Sequence, residues 1–206
     1  MIVIGLTGGI GTGKSKVSEV LGQLGTMVID ADAVGHEVYA SGTVGYRSVL
    51  GEFGPGVVGS DGEIDRAALG KLVFADAGSM SRLNALVHPL IREAVAERLR
   101  ELETAGAAVV VVEAAILLEA GWDDIVDEVW VVEAPGSAVV GRLRPRFGGD
   151  EEAIAARVKS QVSQEERRKS ADVIIKNDGT LERLRGRIEQ TFSTRMKSAR
   201  ERKNQT

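Results

Sequence analysis

The chain has no cysteine, which excludes disulfide staples and thiolate metal centres and suits a reducing interior. It also lacks an excess of positive charge: 26 Lys and Arg stand against 30 Asp and Glu, a formal net charge of −4. No global field recruits nucleic acid or an anionic membrane, so any anion site must be local. No apolar run approaches the roughly 18 to 20 residues that cross a bilayer, and the opening MIVIGLT is too short and uncharged for a signal peptide. Internal repeats and low-complexity linkers are missing too. The expectation is a soluble cytoplasmic protein whose 206 residues form a single domain, residues 1–206, large enough for a real core and a small appended lobe.

What is present alternates between two periods. Apolar, β-branched runs predict buried strands over Ile2–Thr7, Met27–Asp30, Ala108–Glu113, Glu128–Glu133 and Asp172–Lys176. Between them, helical spacing covers Lys14–Leu24, Pro89–Thr104, Glu151–Ser170 and Leu181–Arg200. Strands alternating with helices predict an α/β fold: a five-stranded parallel sheet flanked by helices on both faces. From Asp30 to Ala108 nothing reads as a core strand, a span far longer than one crossover helix. An insertion at the carboxyl edge of a sheet is a place to grip a second substrate; the alternative is a helical elaboration with no ligand. In Gly141–Glu152, GRLRPRFGGDEE, arginines alternate with other residues, Pro145 breaks the helix, and Gly148–Gly149 form a hinge-like pair.

Gly8 to Ser15 reads GGIGTGKS and fits G-x-x-x-x-G-K-[ST] between a predicted strand and a predicted helix. Gly8, Gly9, Ile10, Gly11, Thr12 and Gly13 can curl their N–H groups inward as a nest for phosphate oxygens. The following helix adds its positive N-terminal end. Lys14 places a cation on the β- and γ-phosphates, Ser15 offers a hydroxyl to Mg²⁺, and Lys16 extends the same nucleotide-binding run. The loop identifies a nucleoside triphosphate but not the acceptor. A regulatory GTPase would add a base-reading N/T-K-x-D motif; IIKNDG at Ile174–Gly179 has lysine before asparagine, the wrong order.

The second strand ends in VIDADAVGHEV, which sets Asp30 and Asp32 at the ligand edge of a parallel sheet. A carboxylate there can take the proton of an acceptor hydroxyl. Asp32 is the candidate base and Asp30 its support; the alternative is that Asp32 only caps the next helix. Glu113 ends the third strand in the manner of a Walker-B acid. It either holds magnesium through water or braces Lys14 and the loop.

Together these segments resemble the dephospho-CoA kinase family. GLTGGIGTGKS, VIDADAVGHEV, SDGEIDRAAL, LNALVHPLIR, EAAILLEAGW, RVKSQVS and ADVIIKNDG occur in the family's order and cover most of Ile2 to Gly179. The resemblance implies a P-loop fold of the nucleotide-kinase kind, with a helical acceptor-binding insertion at about residues 33–107 and a mobile lid at about 141–170. It implies transfer of the γ-phosphate of ATP to the ribose 3′-hydroxyl of dephospho-CoA with Mg²⁺, giving coenzyme A and ADP. Asp32 would act as the base with Lys14 and Arg146 as catalytic partners, and Ser15, with Asp30 and Glu113 through water, would hold the metal. Asp65, Arg66, His88, Leu117 and Glu119 would shape the acceptor site, although His88 before Pro89 also reads as a helix-entry pair. Arg142 and Arg146 would close over the polyphosphate, Arg146 more directly, unless they form a solvated basic face. Asn177 would lie near the adenine. The implied partner is dephospho-CoA alone, with no nucleic acid or membrane, and the chain would act as a monomer or weak homo-oligomer.

The chain departs from the family pattern in two segments. Glu113 and Ala115 stand where many members carry aspartate and proline, a form closer to the kinase half of bifunctional coenzyme A synthases. Pro145 falls inside the arginine run and shifts Arg146 relative to Arg142. The basic end Arg195–Thr206 reads as a solvated, fraying helix terminus, the alternative being a local anion contact. Other readings of the same loop are a different small-molecule or nucleotide kinase, or a nucleotide-binding switch.

Overall fold

The near-continuous apolar run Ile2–Thr7 (β1) can be buried on both faces, and it occupies the middle of the sheet. The structure, a computed structural model, describes residues 1–203. The sheet is five-stranded and parallel, in the order β2-β3-β1-β4-β5, with β2 Met27–Asp30, β3 Val109–Glu113, β4 Glu128–Glu133 and β5 Val173–Lys176. Register sets Leu6 of β1 beside Glu113 of β3 and Thr7 beside Val131 of β4, so the carboxyl ends of these strands share one edge.

The helices are α1 Lys14–Gln23, α2 Ala31–Glu37, α3 Val44–Phe53, α4 Arg66–Ala75, α5 Ala77–Thr104, α6 Gly136–Leu143, α7 Glu151–Lys159, α8 Gln164–Lys169 and α9 Leu181–Lys203. The chain divides into two compact units. Met1–Val28 and the chain from Leu102 onward form the first; residues 29–101 form the second. The insertion expected over about 33–107 overlaps the unit of residues 29–101.

In the first unit Ile4, Leu6, Val17, Leu21, Trp130, Ile175 and Ile188 build one buried cluster between the sheet and helices α1 and α9. Each large apolar side chain buried there contributes about 1.5–3 kcal/mol. This layer fixes α1 against β1, and so fixes the loop between them.

Three expectations change. Pro89 does not start a helix: it lies inside the 28-residue α5, so His88–Pro89 is not a helix-entry pair. Proline in a helix interior costs about 3 kcal/mol, but Val87, Ile91, Val95 and Leu99, each four residues apart, bury one stripe that outweighs it. The single helix expected over Glu151–Ser170 is two, α7 and α8, because Ser163 and Glu166 form a capping box that starts a new helix. The basic C-terminal end is not wholly solvated: Arg195 Nη2 and Nε donate to Glu128 at 2.8 and 3.1 Å. Asn204–Thr206 lie outside the described residues.

Candidate active site

The loop from Gly8 to Gly13 is a tight curl whose shape depends on absent side chains. Gly8 has φ +155°, and a methyl there would stand 2.5 Å from the Val132 carbonyl oxygen. Gly13, at φ +97°, is the cap of α1, and a methyl would overlap the Asn177 amide nitrogen. Thr12 Oγ1 donates to the Gly9 carbonyl at 2.8 Å and Lys14 Nζ to the Gly8 carbonyl at 3.0 Å, so the lysine folds back along the loop. Such a curl at a helix N-terminus gathers N–H groups and a cation for an anion. Lys16, the last residue of the expected nucleotide-binding run, pairs with Glu19 on the exposed face of α1 at 2.8 and 2.7 Å.

At the end of β3 the Glu113 carboxylate is buried and accepts from Ser15 Oγ at 2.9 Å and from Ser18 Oγ. A hydroxyl and a carboxylate are hard oxygen donors, and Mg²⁺ characteristically takes one or two such protein ligands and completes its shell with phosphate and water. Among the described residues no group of three or more His, Cys, Asp or Glu could hold a metal. The donor set at Ser15 and Glu113 fits a cation that arrives with the triphosphate.

Two residues distant in sequence steady the loop. Arg142 Nη1 donates to the carbonyls of Gly11 and Thr12, both at 3.0 Å. The Asn177 amide, expected near an adenine, is buried and donates to the Thr12 carbonyl at 2.8 Å. Arg146 is exposed on the tight turn Arg144–Phe147 opened by Pro145, and Gly148 and Gly149 follow it with positive φ. Arg142, not Arg146, is thus the arginine set against the loop here. Leu117 is fully buried, and a methyl at Gly5 would stand 2.8 Å from its Cδ1. Its side chain is thus packed under β1. Glu119 is bonded to Arg167 at 2.6 Å.

In the second unit, Asp30 rather than Asp32 is the cap of α2, accepting from the Asp32 and Ala33 amides at 2.9 and 3.0 Å. Asp32 stands exposed in the first turn of that helix. Asp65 caps α4 through the Ala67 and Ala68 amides, and Arg66 begins the helix. Both line a cavity of about 520 Å³ together with His36, Tyr39, Asp61 and Glu63. Burial pushes the Tyr39 hydroxyl above its ordinary pKa, partly opposed by the Arg66 charge. His88 does not line this cavity; it is half-buried in α5, and burial pushes its imidazole below the usual histidine value.

The dephospho-CoA kinase family model matches residues 2–183. The chain belongs to the dephospho-CoA kinase family. The dephospho-CoA kinase of Geobacter sulfurreducens is 45% identical over 195 residues, 95% of this chain and 99% of that one. Among solved structures, the dephospho-CoA kinase of Campylobacter jejuni superposes with a TM-score of 0.72 at 27% identity, covering 96% of this chain and 98% of its own. A shikimate kinase from Acinetobacter baumannii, in complex with shikimate, has a TM-score of 0.56 at 13% identity over 96% of this chain and 94% of its own. That last likeness shows the fold alone, that of a P-loop kinase.

Within this family framework, four residues that the sequence left unassigned hold the loop and its surroundings. Gln161 Oε1 accepts from the Ile10 N–H at 2.8 Å. Arg167, buried to 2% exposure, donates to Thr7 Oγ1 at 3.1 Å, to the Ala115 carbonyl at 3.4 Å and to Glu119. Ser18 is buried against Glu113. Its signal in the sequence was a polar residue one helical turn after Ser15, on the face that Val17 and Leu21 bury. Arg167 gave no signal inside the charged run QEERRK. Its neighbour Arg168 grips Glu133 with two bonds at 2.6 and 2.9 Å and holds that carboxyl below the usual range, against the opposing effect of burial.

Proposed function

We propose that the chain transfers the γ-phosphoryl group of ATP to the ribose 3′-hydroxyl of dephospho-CoA, giving coenzyme A and ADP, the last step of coenzyme A synthesis. The observation that carries this reading is the phosphate loop, with Lys14 and Ser15 at the head of α1, in a chain matched to the family over residues 2–183. The loop amides and Lys14 bind the β- and γ-phosphates. Ser15, with Glu113 and Asp30 through water, would hold Mg²⁺, which when bound would supply charge neutralisation at the phosphate oxygens.

On the acceptor side, Asp65, Arg66 and His88 position dephospho-CoA, and Asp32 takes the proton of its 3′-hydroxyl. The ribose oxygen forms its bond to Pγ as the bond from Pγ to the bridging oxygen breaks, and ADP leaves with that electron pair. Arg142 and Arg146 stabilise charge on the transferring group, and exclusion of water prevents loss of ATP to hydrolysis. The same reading places the reaction in the cytoplasm; among the described residues no helix is long and apolar enough to cross a membrane.

Incubation with Mg·ATP and either dephospho-CoA or a panel of nucleoside monophosphates tests the acceptor. Phosphorylation of dephospho-CoA alone is expected. Transfer to a nucleoside monophosphate, with dephospho-CoA untouched, would refute the reading.

A further inference from the structure

Ile10 lies in the phosphate loop, yet its side chain belongs to a separate small apolar cluster. That cluster comprises Ala134 after β4, Val139 and Leu143 on α6, and Ile154 on α7. On its Gly11 side the packing is close: a methyl there would stand 3.1 Å from Leu143 and 3.2 Å from Val139. The Ile10 N–H donates to Gln161 Oε1, and Gln161 sits in the short link between α7 and α8.

That link is braced at its far end. Arg167 Nε donates to the Val162 carbonyl at 3.3 Å, while the same buried guanidinium is bonded to Thr7 Oγ1 and Glu119. The Ser163–Glu166 capping box fixes the start of α8 immediately after. Gln161 is therefore presented to the loop from a rigid support on one side, with α7 attached on the other. A cavity of about 520 Å³ opens beside these contacts, lined by Ile10, Val139, Ile154, Val158, Gln161 and Arg167 among others, which leaves α7 room to move.

We infer that Gln161 is a positioning residue that couples nucleotide occupancy of the phosphate loop to the placement of α7. The inference rests on the proposed function, since it takes ATP as the occupant. Filling the loop draws its amides toward phosphate oxygens, and a displacement at Ile10 passes to α7 through two contacts at once. One is the hydrogen bond to Gln161; the other is the packing of Ile10 against the cluster that includes Ile154. A neutral amide oxygen makes that hydrogen bond without setting a negative charge beside the triphosphate, which a glutamate would do.

The test uses the full chain with Mg²⁺ and the non-hydrolysable analogue β,γ-imido-ATP, comparing wild type with Gln161→Met, which keeps length but removes the acceptor. Calorimetry gives the dissociation constant, and hydrogen exchange read by mass spectrometry follows the peptide Glu151–Lys159 with and without analogue. In wild type the analogue should slow exchange across that peptide. In Gln161→Met the dissociation constant should rise about five- to tenfold, the worth of one hydrogen bond, with the melting temperature within about 2 °C. The slowing at Glu151–Lys159 should be lost even at saturating analogue. An unchanged dissociation constant, or wild-type slowing at saturation, would overturn the coupling. If Gln161→Met does not fold, Gln161→Asn, one methylene too short to reach, is judged by the same two readings. Failure of wild type to bind the analogue at all would instead refute the proposed function, so the two failures are distinguishable.

Discussion

The phosphate loop and the charged cavity of the second unit are held by opposite kinds of contact. The loop is fixed by side chains remote in sequence: Gln161 is 151 residues from Ile10, Asn177 is 165 from Thr12, and Glu113 is 98 from Ser15. The cavity that includes Asp65 and Arg66 is held at shorter range, reaching as far as the bond from the Ser41 amide to Glu63, 22 residues apart. Asp65 is occupied by the amides of Ala67 and Ala68, Asp61 by that of Glu63, and His36 sits edge-on to Tyr39. A loop braced by the whole sheet is built before its ligand arrives, which is what electrostatic preorganisation requires. Local caps leave a surface free to adapt to a larger acceptor. Substitutions should therefore separate cleanly: those at the loop's braces disturb stability and ATP use, those in the cavity disturb the acceptor.

The largest expected effect is chemical. Asp32→Asn should lower kcat by about 10²- to 10⁴-fold, the worth of a positioned base, while β,γ-imido-ATP affinity by calorimetry stays within about twofold; lost affinity would remove Asp32 from the acceptor side. Next comes a brace. Arg167→Leu strands Glu119 and should destabilise the chain by about 3–5 kcal/mol, measured by urea unfolding. A loss below about 1 kcal/mol would show that the remote contacts are dispensable. Arg66→Ala should raise KM for dephospho-CoA about tenfold with KM for ATP unchanged, in steady-state kinetics; an equal rise in both would erase the contrast between the two regions. Ser18→Ala leaves the buried Glu113 short of one donor, costing about 1–3 kcal/mol, and should raise the Mg²⁺ concentration at half-maximal ATP-analogue binding.

The smallest effect is a pH dependence. Arg168 holds Glu133 below its unfolded pKa, against burial, so its contribution is fully present above the unfolded value of about 4.3. It is lost as pH falls through the lower folded value. Arg168→Gln should flatten that acid limb in urea titrations carried below about pH 4.3.

The legibility of the sequence follows the same division. Strands, sheet direction and the phosphate loop were readable because each is written in consecutive residues with a period or a spacing. Gln161, Arg167 and Ser18 were not, since their importance comes from partners far away in the chain. Pro89 misled because a strong breaker is overruled by the apolar stripe of α5. The aspartates at the end of β2 were located correctly, but only the structure shows that Asp30 takes the capping task, which removes that alternative for Asp32.

The most direct test of the central claim is mass spectrometry of dephospho-CoA after incubation with the purified chain and Mg·ATP, with the position of the new group assigned by NMR. One phosphoryl group on the ribose 3′-oxygen, and one ADP formed for each, is the expected result. Unmodified dephospho-CoA alongside bound or hydrolysed ATP would contradict it.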